Sequence, residues 1–205
     1  MSDYTSTSTM AGLAQRIHAA SHLVVLTHRK PDGDAIGSAL ALHRALAPNK
    51  RVDIHLVGPV GRALLELAGD TPVAISDDPP TCDPDLVVLV DTGSWVQVGP
   101  ISNWLKTQRE AGRVIGLDHH PVGDDIATER VIETTAASCT LMIRDLLLEL
   151  GCSIDGGHGG VGEAIFAGLA TDTGWFQHSN ADARCYAVAS ELLQLGVDRI
   201  RLHRL

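Results

Sequence analysis

Hydrophobic positions along the chain fall into short uninterrupted runs separated by segments of helical spacing. HLVVLT at 22–27, RVDIHLV at 51–57, LVVLV at 86–90 and RVIGL at 113–117 read as strands, the third most strongly because apolar runs of this length suit strands buried on both faces. Leu13, Ile17 and Ala20 share one helix face behind a Thr9 cap, and Ile36, Leu40 and His43 or Leu46 repeat in the same way. Shorter helical stretches cover 60–67 and 101–110, and ATERVIE at 127–133 alternates loosely enough to be an edge strand. Three more helices are predicted over 138–150, 163–171 and 182–195, the first with Met142, Leu146 and Leu150 on one stripe. The Pro/Asp-rich run at 76–85 is a loop, and Gly151–Gly162, with six glycines, reads as a mobile connection. Strands alternating with helices predict an α/β domain with a mainly parallel sheet flanked by helices. Residues 1–8 are expected to be a disordered polar tail, 9–196 the domain, and 197–205 the start of a linker helix.

Composition narrows the class. A chain of 205 residues with 44% apolar and 20% charged residues is an ordinary globular protein, not a collagenous, disordered or membrane one. No apolar run approaches a membrane span, and MSDYTSTSTM lacks the basic and apolar segments of a secretory signal. Four cysteines without a C-x-x-C pair fit a reduced, cytoplasmic protein. The net charge of −9 argues against binding of long duplex nucleic acid, whose affinity comes from Lys and Arg on phosphates. It leaves room for a short anionic substrate held by metal ions, because bound cations reverse the local sign. Of the 25 acidic residues 18 are Asp, and there are 10 His, an excess that suits loops, caps and metal sites.

The chemistry sits at strand ends. LVVLT runs into His28, LVVLV into Asp91, and RVIGL into Asp118, His119 and His120. In open α/β sheets ligands bind beyond the carboxyl ends of the strands, so these residues are predicted to converge. Asp32 and Asp34 follow His28 in a turn that opens a helix, and Asp172 ends the apolar segment IFAGLA. Crowded carboxylates repel one another unless cations neutralise them. Histidine nitrogen mixed with several Asp oxygens suits manganese, with iron, cobalt or magnesium as alternatives, and the absence of Cys from the set disfavours structural zinc. There are too many ligands for one ion, which points to a pair about 3.5–4 Å apart. Taken singly, the Asp residues also fit the role of turn or helix caps. The DHH triplet is more specific, since composition alone would produce it about 0.04 times in such a chain.

THRKPDGDAIGS, VLVDTGS, GLDHHP and AIFAGLATDTGWF resemble, in order, the four motifs of the DHH phosphoesterase family. Their wording is most similar to the branch of bifunctional oligoribonucleases and pAp phosphatases, and the likeness runs from about residue 22 to 196, including VIETTAASCT and FQHSNADA. The resemblance implies a hydrolase with two divalent ions, most fittingly Mn²⁺. On it, His28, Asp32 and Asp91 hold one ion, while Asp34, Asp91, His119 and Asp172 hold the other, with Asp91 as the bridge. His120 then faces substrate phosphate, and Asp118 orients its neighbours, completing a catalytic group of Asp91, His120 and Asp118. Gly33 and Gly37 leave room for close backbone approach, and the N-terminus of the helix from Gly33 adds its positive end.

The implied substrates are short oligoribonucleotides and 3′-phosphoadenosine 5′-phosphate (pAp). Two alternatives are a cyclic-dinucleotide phosphodiesterase and a manganese pyrophosphatase. A third, non-enzymatic one is a truncated domain that binds metal and nucleotide without turnover. Members of the family usually continue into a smaller DHH-associated domain, whereas this sequence stops at DRIRLHRL. Apolar surface is therefore expected where that domain would dock, and a homodimer would use it. Trp175 is a candidate for base stacking against plain packing, and His178 and Asn180 for the substrate cleft. GGHGG at 156–160 lacks the Lys-Ser/Thr of a phosphate-binding P-loop.

Overall fold

The three most apolar runs become three of the four inner strands of a six-stranded sheet in the computed structural model, which describes residues 4–205. They are β1 (His22–Leu26), β4 (Leu86–Val90) and β5 (Val114–Asp118), and all but His22 are buried. β2 (Arg51–Leu56) and the three-residue β3 (Val73–Ile75) lie on one side, and β6 (Glu129–Ile132) forms the other edge. The order is β3-β2-β1-β4-β5-β6 and every pairing is parallel.

Because side chains alternate along a strand, the sheet feeds two cores. Leu23, Val25, Val88, Val90, Ile115 and Leu117 face α1 (Met10–Ala19), α2 (Gly33–Leu46), α6 (Cys139–Glu149), α7 (Val161–Asp172) and α8 (Ala183–Gln194). Val24, Leu26, Val87, Leu89 and Val114 face Val98, Ile101 and Leu105, carried by α4 (Trp95–Val98), α5 (Ser102–Glu110) and the 3-10 turn between them. α3 (Arg62–Ala68) and α9 (Arg199–Arg204) complete the chain. Thr9 caps α1 through the N–H of Gly12, as its position predicts. Periodicity did not announce β3 or α4, which are too short to show it.

Two segments differ from expectation. The polar stretch predicted to be a disordered tail is held from Tyr4 onward, its first three residues lying outside the described ones. The backbone N–H groups of Thr7 and Ser8 both donate to the carbonyl of Arg130, at 2.9 and 3.1 Å. The hydroxyls of Thr7 and Ser6 accept from the backbone N–H groups of Arg130 and Ile132, at 3.0 and 2.8 Å. An edge strand presents unpaired backbone groups, and these hydroxyls occupy them in β6.

The glycine-rich connection is likewise tied down. Val161 N–H donates to the Asp155 carboxylate, Gly162 N–H donates to the Asp155 carbonyl, and Gly159 N–H donates to buried Glu163. Glu163 also pairs with Arg201, which draws α9 onto α7, and Leu202 is buried there. Tyr186 and Leu193, both exposed, line an apolar groove of about 530 Å³ with Phe166 and Phe176. The four cysteines are free, and none of the described helices is long and apolar enough to cross a membrane.

Candidate metal centre

β1 and β4 are neighbours in space, but the chain leaves them in opposite directions, β1 toward β2 and β4 toward β5. Connections that diverge in this way leave a crevice at the carboxyl ends of the two strands. His28 and Asp91 stand at those ends, and the other predicted residues join them.

His28 follows β1. Its Nδ1–H donates to the carbonyl of Arg29 at 2.9 Å, because a carbonyl can only accept. Nε2 is thereby left free, 3.9 Å from Asp32 Oδ1 and 3.6 Å from Asp91 Oδ2. Asp32 caps α2, accepting at 3.0 Å from the N–H groups of Asp34 and Ala35. The Asp32 carboxylate thus occupies two of the donors at the helix end expected to contribute its positive pole. Asp91 leaves β4 in the left-handed region, with φ of 54°. It is buried, and its second oxygen, Oδ1, lies 3.5 Å from His119 Nε2 and has no hydrogen-bond partner.

The other cluster is built from helix ends. Asp34, in the first turn of α2, accepts from the N–H groups of Cys139 and Thr140 at the start of α6, at 2.6 and 2.9 Å. No pattern in the sequence marks this anchor, although Ser138 has the chemistry of the N-cap it proves to be. His119 repeats the arrangement of His28. Its Nδ1–H donates to the carbonyl of Ala136 at 3.1 Å, and Nε2 lies 3.8 Å from Asp34 Oδ2 and 3.6 Å from Asp172 Oδ2. Asp172 is the last residue of α7, and Asn180 donates to its backbone carbonyl at 3.3 Å.

His120 gathers with Asp91 and His119 within 4.8 Å but is held by another carboxylate. Its Nδ1 is bonded to Asp118 Oδ1 at 2.7 Å, and its ring is about half exposed. The nitrogen that comes within 3.8 Å of Asp91 is therefore the one Asp118 already engages. Tyr4, which no motif in the sequence marks, donates its hydroxyl to the other oxygen of Asp118.

The electrostatics call for positive charge. Burial opposes a proton on His28, but Asp32 and Asp91 outweigh it and hold the imidazole up at about 10. Burial opposes it on His119 too, and Asp91, Asp34 and Asp172 hold that ring at about 9. Burial and then Asp91 push the Asp34 carboxyl up, and burial raises that of Asp172.

The trios His28, Asp32, Asp91 and Asp34, His119, Asp172 each gather their ligand atoms within 4.8 Å of one another. Most of the separations between them exceed a good hydrogen bond. With the orphaned Asp91 Oδ1 and two imidazoles whose Nε2 atoms are free, the donors fit divalent ions. A further trio, His22, Asp53 and Cys82, collects at the opposite end of the sheet, where Arg51 already pairs with Asp53 at 2.8 Å.

Other sequence candidates settle into packing. Trp175 lies edge-on to His203 with ring centroids 4.6 Å apart, and it lines a small cavity with Leu64, Leu67 and Leu202. Gly33 and Gly37 do permit a close approach, but by α7. A Cβ on Gly33 would lie 2.3 Å from the Thr171 hydroxyl, and one on Gly37 would lie 2.5 Å from the Ala164 carbonyl.

The chain is similar to several known proteins. The bifunctional oligoribonuclease and PAP phosphatase NrnA of Thermus thermophilus is 30% identical over 178 residues, covering 85% of this chain and 50% of that protein. The probable bifunctional oligoribonuclease and PAP phosphatase NrnA of Streptococcus mutans is 26% identical over 190 residues, covering 92% of this chain and 57% of that one. The chain thus spans about half the length of the curated relatives it matches. In fold it is similar to an exopolyphosphatase-related protein from Bacteroides fragilis, with a TM-score of 0.84 and 24% identity over 95% of this chain and 58% of that one. Residues 22–161, which carry His28, Asp32, Asp34, Asp91 and the Asp118-His119-His120 triplet, match the N-terminal domain of the DHH family, and the chain belongs to that family.

Proposed function

We propose that the chain is the catalytic domain of a metal-dependent phosphoesterase acting on short oligoribonucleotides and on pAp. The observation that carries this reading is Asp91, a buried carboxylate whose two oxygens face two separate His/Asp clusters. His28, Asp32 and Asp91 would hold one divalent ion, and Asp34, Asp91, His119 and Asp172 a second, with manganese the best match to the donor set. When bound, the pair neutralises phosphate charge and activates a water for in-line displacement at phosphorus.

The chain's own residues do the positioning. Arg29 and Ala136 carbonyls fix the tautomers of His28 and His119. The first turn of α6 holds Asp34 in place. Asp118 holds His120 by Nδ1, which leaves Nε2 to donate to a nonbridging phosphate oxygen as negative charge develops there. The substrate class follows the two named relatives.

The deciding experiment supplies manganese and offers pAp, a 5′-phosphorylated diribonucleotide, cyclic di-AMP and pyrophosphate. Turnover of either of the first two above the others is expected. Turnover of pyrophosphate alone overturns the ranking. Metal binding without any turnover would instead favour the non-enzymatic reading.

Proton release provides a second check. His28 and His119 have raised pKa values in the folded chain, about 10 and about 9. The stability they contribute to the metal-free protein is full below about 6.5 and is lost as pH rises through those values. A cation must displace the same protons, so metal binding is expected to release protons at pH 7 and to tighten with rising pH. Calorimetry in buffers of different ionisation enthalpy measures this, and manganese binding with no proton release would show that the two imidazoles are not held protonated in the metal-free chain.

A further inference from the structure

The residue just ahead of the polar strap along β6 reaches the centre of the site. Tyr4 donates its hydroxyl to Asp118 Oδ2 at 2.7 Å, and Asp118 Oδ1 accepts from His120 Nδ1 at the same distance. The backbone N–H of His120 also donates to Asp118 Oδ1, at 3.3 Å. Asp118 is 1% exposed, so each of its oxygens depends on a protein partner.

The chain makes a niche for the phenol. A Cβ on Gly93, in the loop after β4, would lie 1.9 Å from the Tyr4 oxygen, and one on Gly123, after β5, would lie 2.5 Å from its ring. Neither position would admit a larger residue while Tyr4 stays in place. The Arg130 guanidinium lies 5.5 Å over the same ring and donates through Nε to the carbonyl of Thr5, at 2.9 Å. The strap is thus fastened from Thr5 onward, directly after the aromatic residue.

We propose that Tyr4 is a positioning residue for His120, acting through Asp118. With the phenol on Oδ2, the carboxylate is turned so that Oδ1 meets Nδ1, and the imidazole presents Nε2 outward. Loss of the hydroxyl leaves a buried carboxylate oxygen without a partner. That lets the carboxylate rotate and the imidazole swing with it. The effect on turnover rests on the phosphoesterase reading above, whereas the hydrogen-bonded chain from Tyr4 to His120 does not.

The test is Tyr4→Phe, which keeps the ring in its niche and removes only the oxygen. On the substrate that the panel identifies, kcat is expected to fall about tenfold, in the range found for outer partners of catalytic groups, with KM nearly unchanged. In a His120→Gln background the same change is expected to cost less than about twofold, because the group it positions is gone. Equal losses in both backgrounds, or no loss in either, overturn the proposal. A long-range proton–nitrogen spectrum of the metal-free chain reads the same contact without turnover. There the Nδ1 resonance of His120 should move in Tyr4→Phe while that of His119 stays, and an unmoved His120 resonance overturns the proposal. A wild-type chain inactive on the whole panel would defeat the proposed function alone, and the spectrum would then decide the role of Tyr4.

Discussion

Replacing Asp91 with Asn is expected to reduce manganese-dependent turnover by at least about a thousandfold, roughly 4 kcal/mol of transition-state stabilisation. The choice of Asn follows from the backbone. Asp91 has φ of 54°, and Asn tolerates the left-handed region whereas Ala adds about 1–2 kcal/mol of strain there. Asp91→Asn therefore removes the negative charge shared by the two clusters without disturbing the end of β4. Calorimetry should show manganese stoichiometry falling from two ions to at most one, with the circular dichroism of the metal-free chain unchanged. Asp32→Asn makes the contrast, since Asp32 is the more exposed and faces His28 alone. Its loss should weaken one ion and slow turnover less. Wild-type turnover in Asp91→Asn would refute the bridging assignment.

What the sequence made legible was set by length and by repetition. β1, β4 and β5 are uninterrupted apolar runs whose burial on both faces leaves no polar residue to blur them, and each ends in residues of the site. Their convergence followed from chain connectivity, because a parallel sheet brings successive carboxyl ends to one edge. Asp172 was harder to place, since it comes from a helix end, and the DTGWF pattern located it through resemblance. Contacts between partners far apart in sequence stayed hidden. Nothing in DYTSTST shows that its hydroxyls will pair with Arg130 and Ile132, some 125 residues away. Nothing around Ser138 shows that the helix it caps will hold Asp34. The segment 151–162 looked mobile because glycines dominate it, yet Asp155 and Glu163 tie it down. β3 and α4, at three and four residues, are shorter than the period that would reveal them.

The second large effect is expected at Gly168, which offers no ligand atom itself but packs against Asp34. α2 and α7 touch almost backbone to backbone, and α6 closes on the same point. A Cβ on Gly168 would lie 2.3 Å from Thr140 Cγ2 and 2.8 Å from Asp34 Oδ1. Valine there must push apart the helices that carry Asp34 and Asp172, in a core where shape changes of this kind cost about 1–3 kcal/mol or more. A lowering of the melting temperature by roughly 5–10 °C is expected for a chain of this size. Manganese affinity should fall with it, because Asp34 loses its seat against the N–H groups of Cys139 and Thr140. Gly151→Ala separates the two consequences. Gly151 has φ of 71° and nothing within 4 Å of an added Cβ, so alanine there adds about 1 kcal/mol of backbone strain and no collision. That variant should lose a few degrees of melting temperature and keep its manganese affinity. If Gly168→Val behaved the same way, helix spacing would not set the geometry of the site, and the ligands on α2 and α7 would be held by their local hydrogen bonds alone.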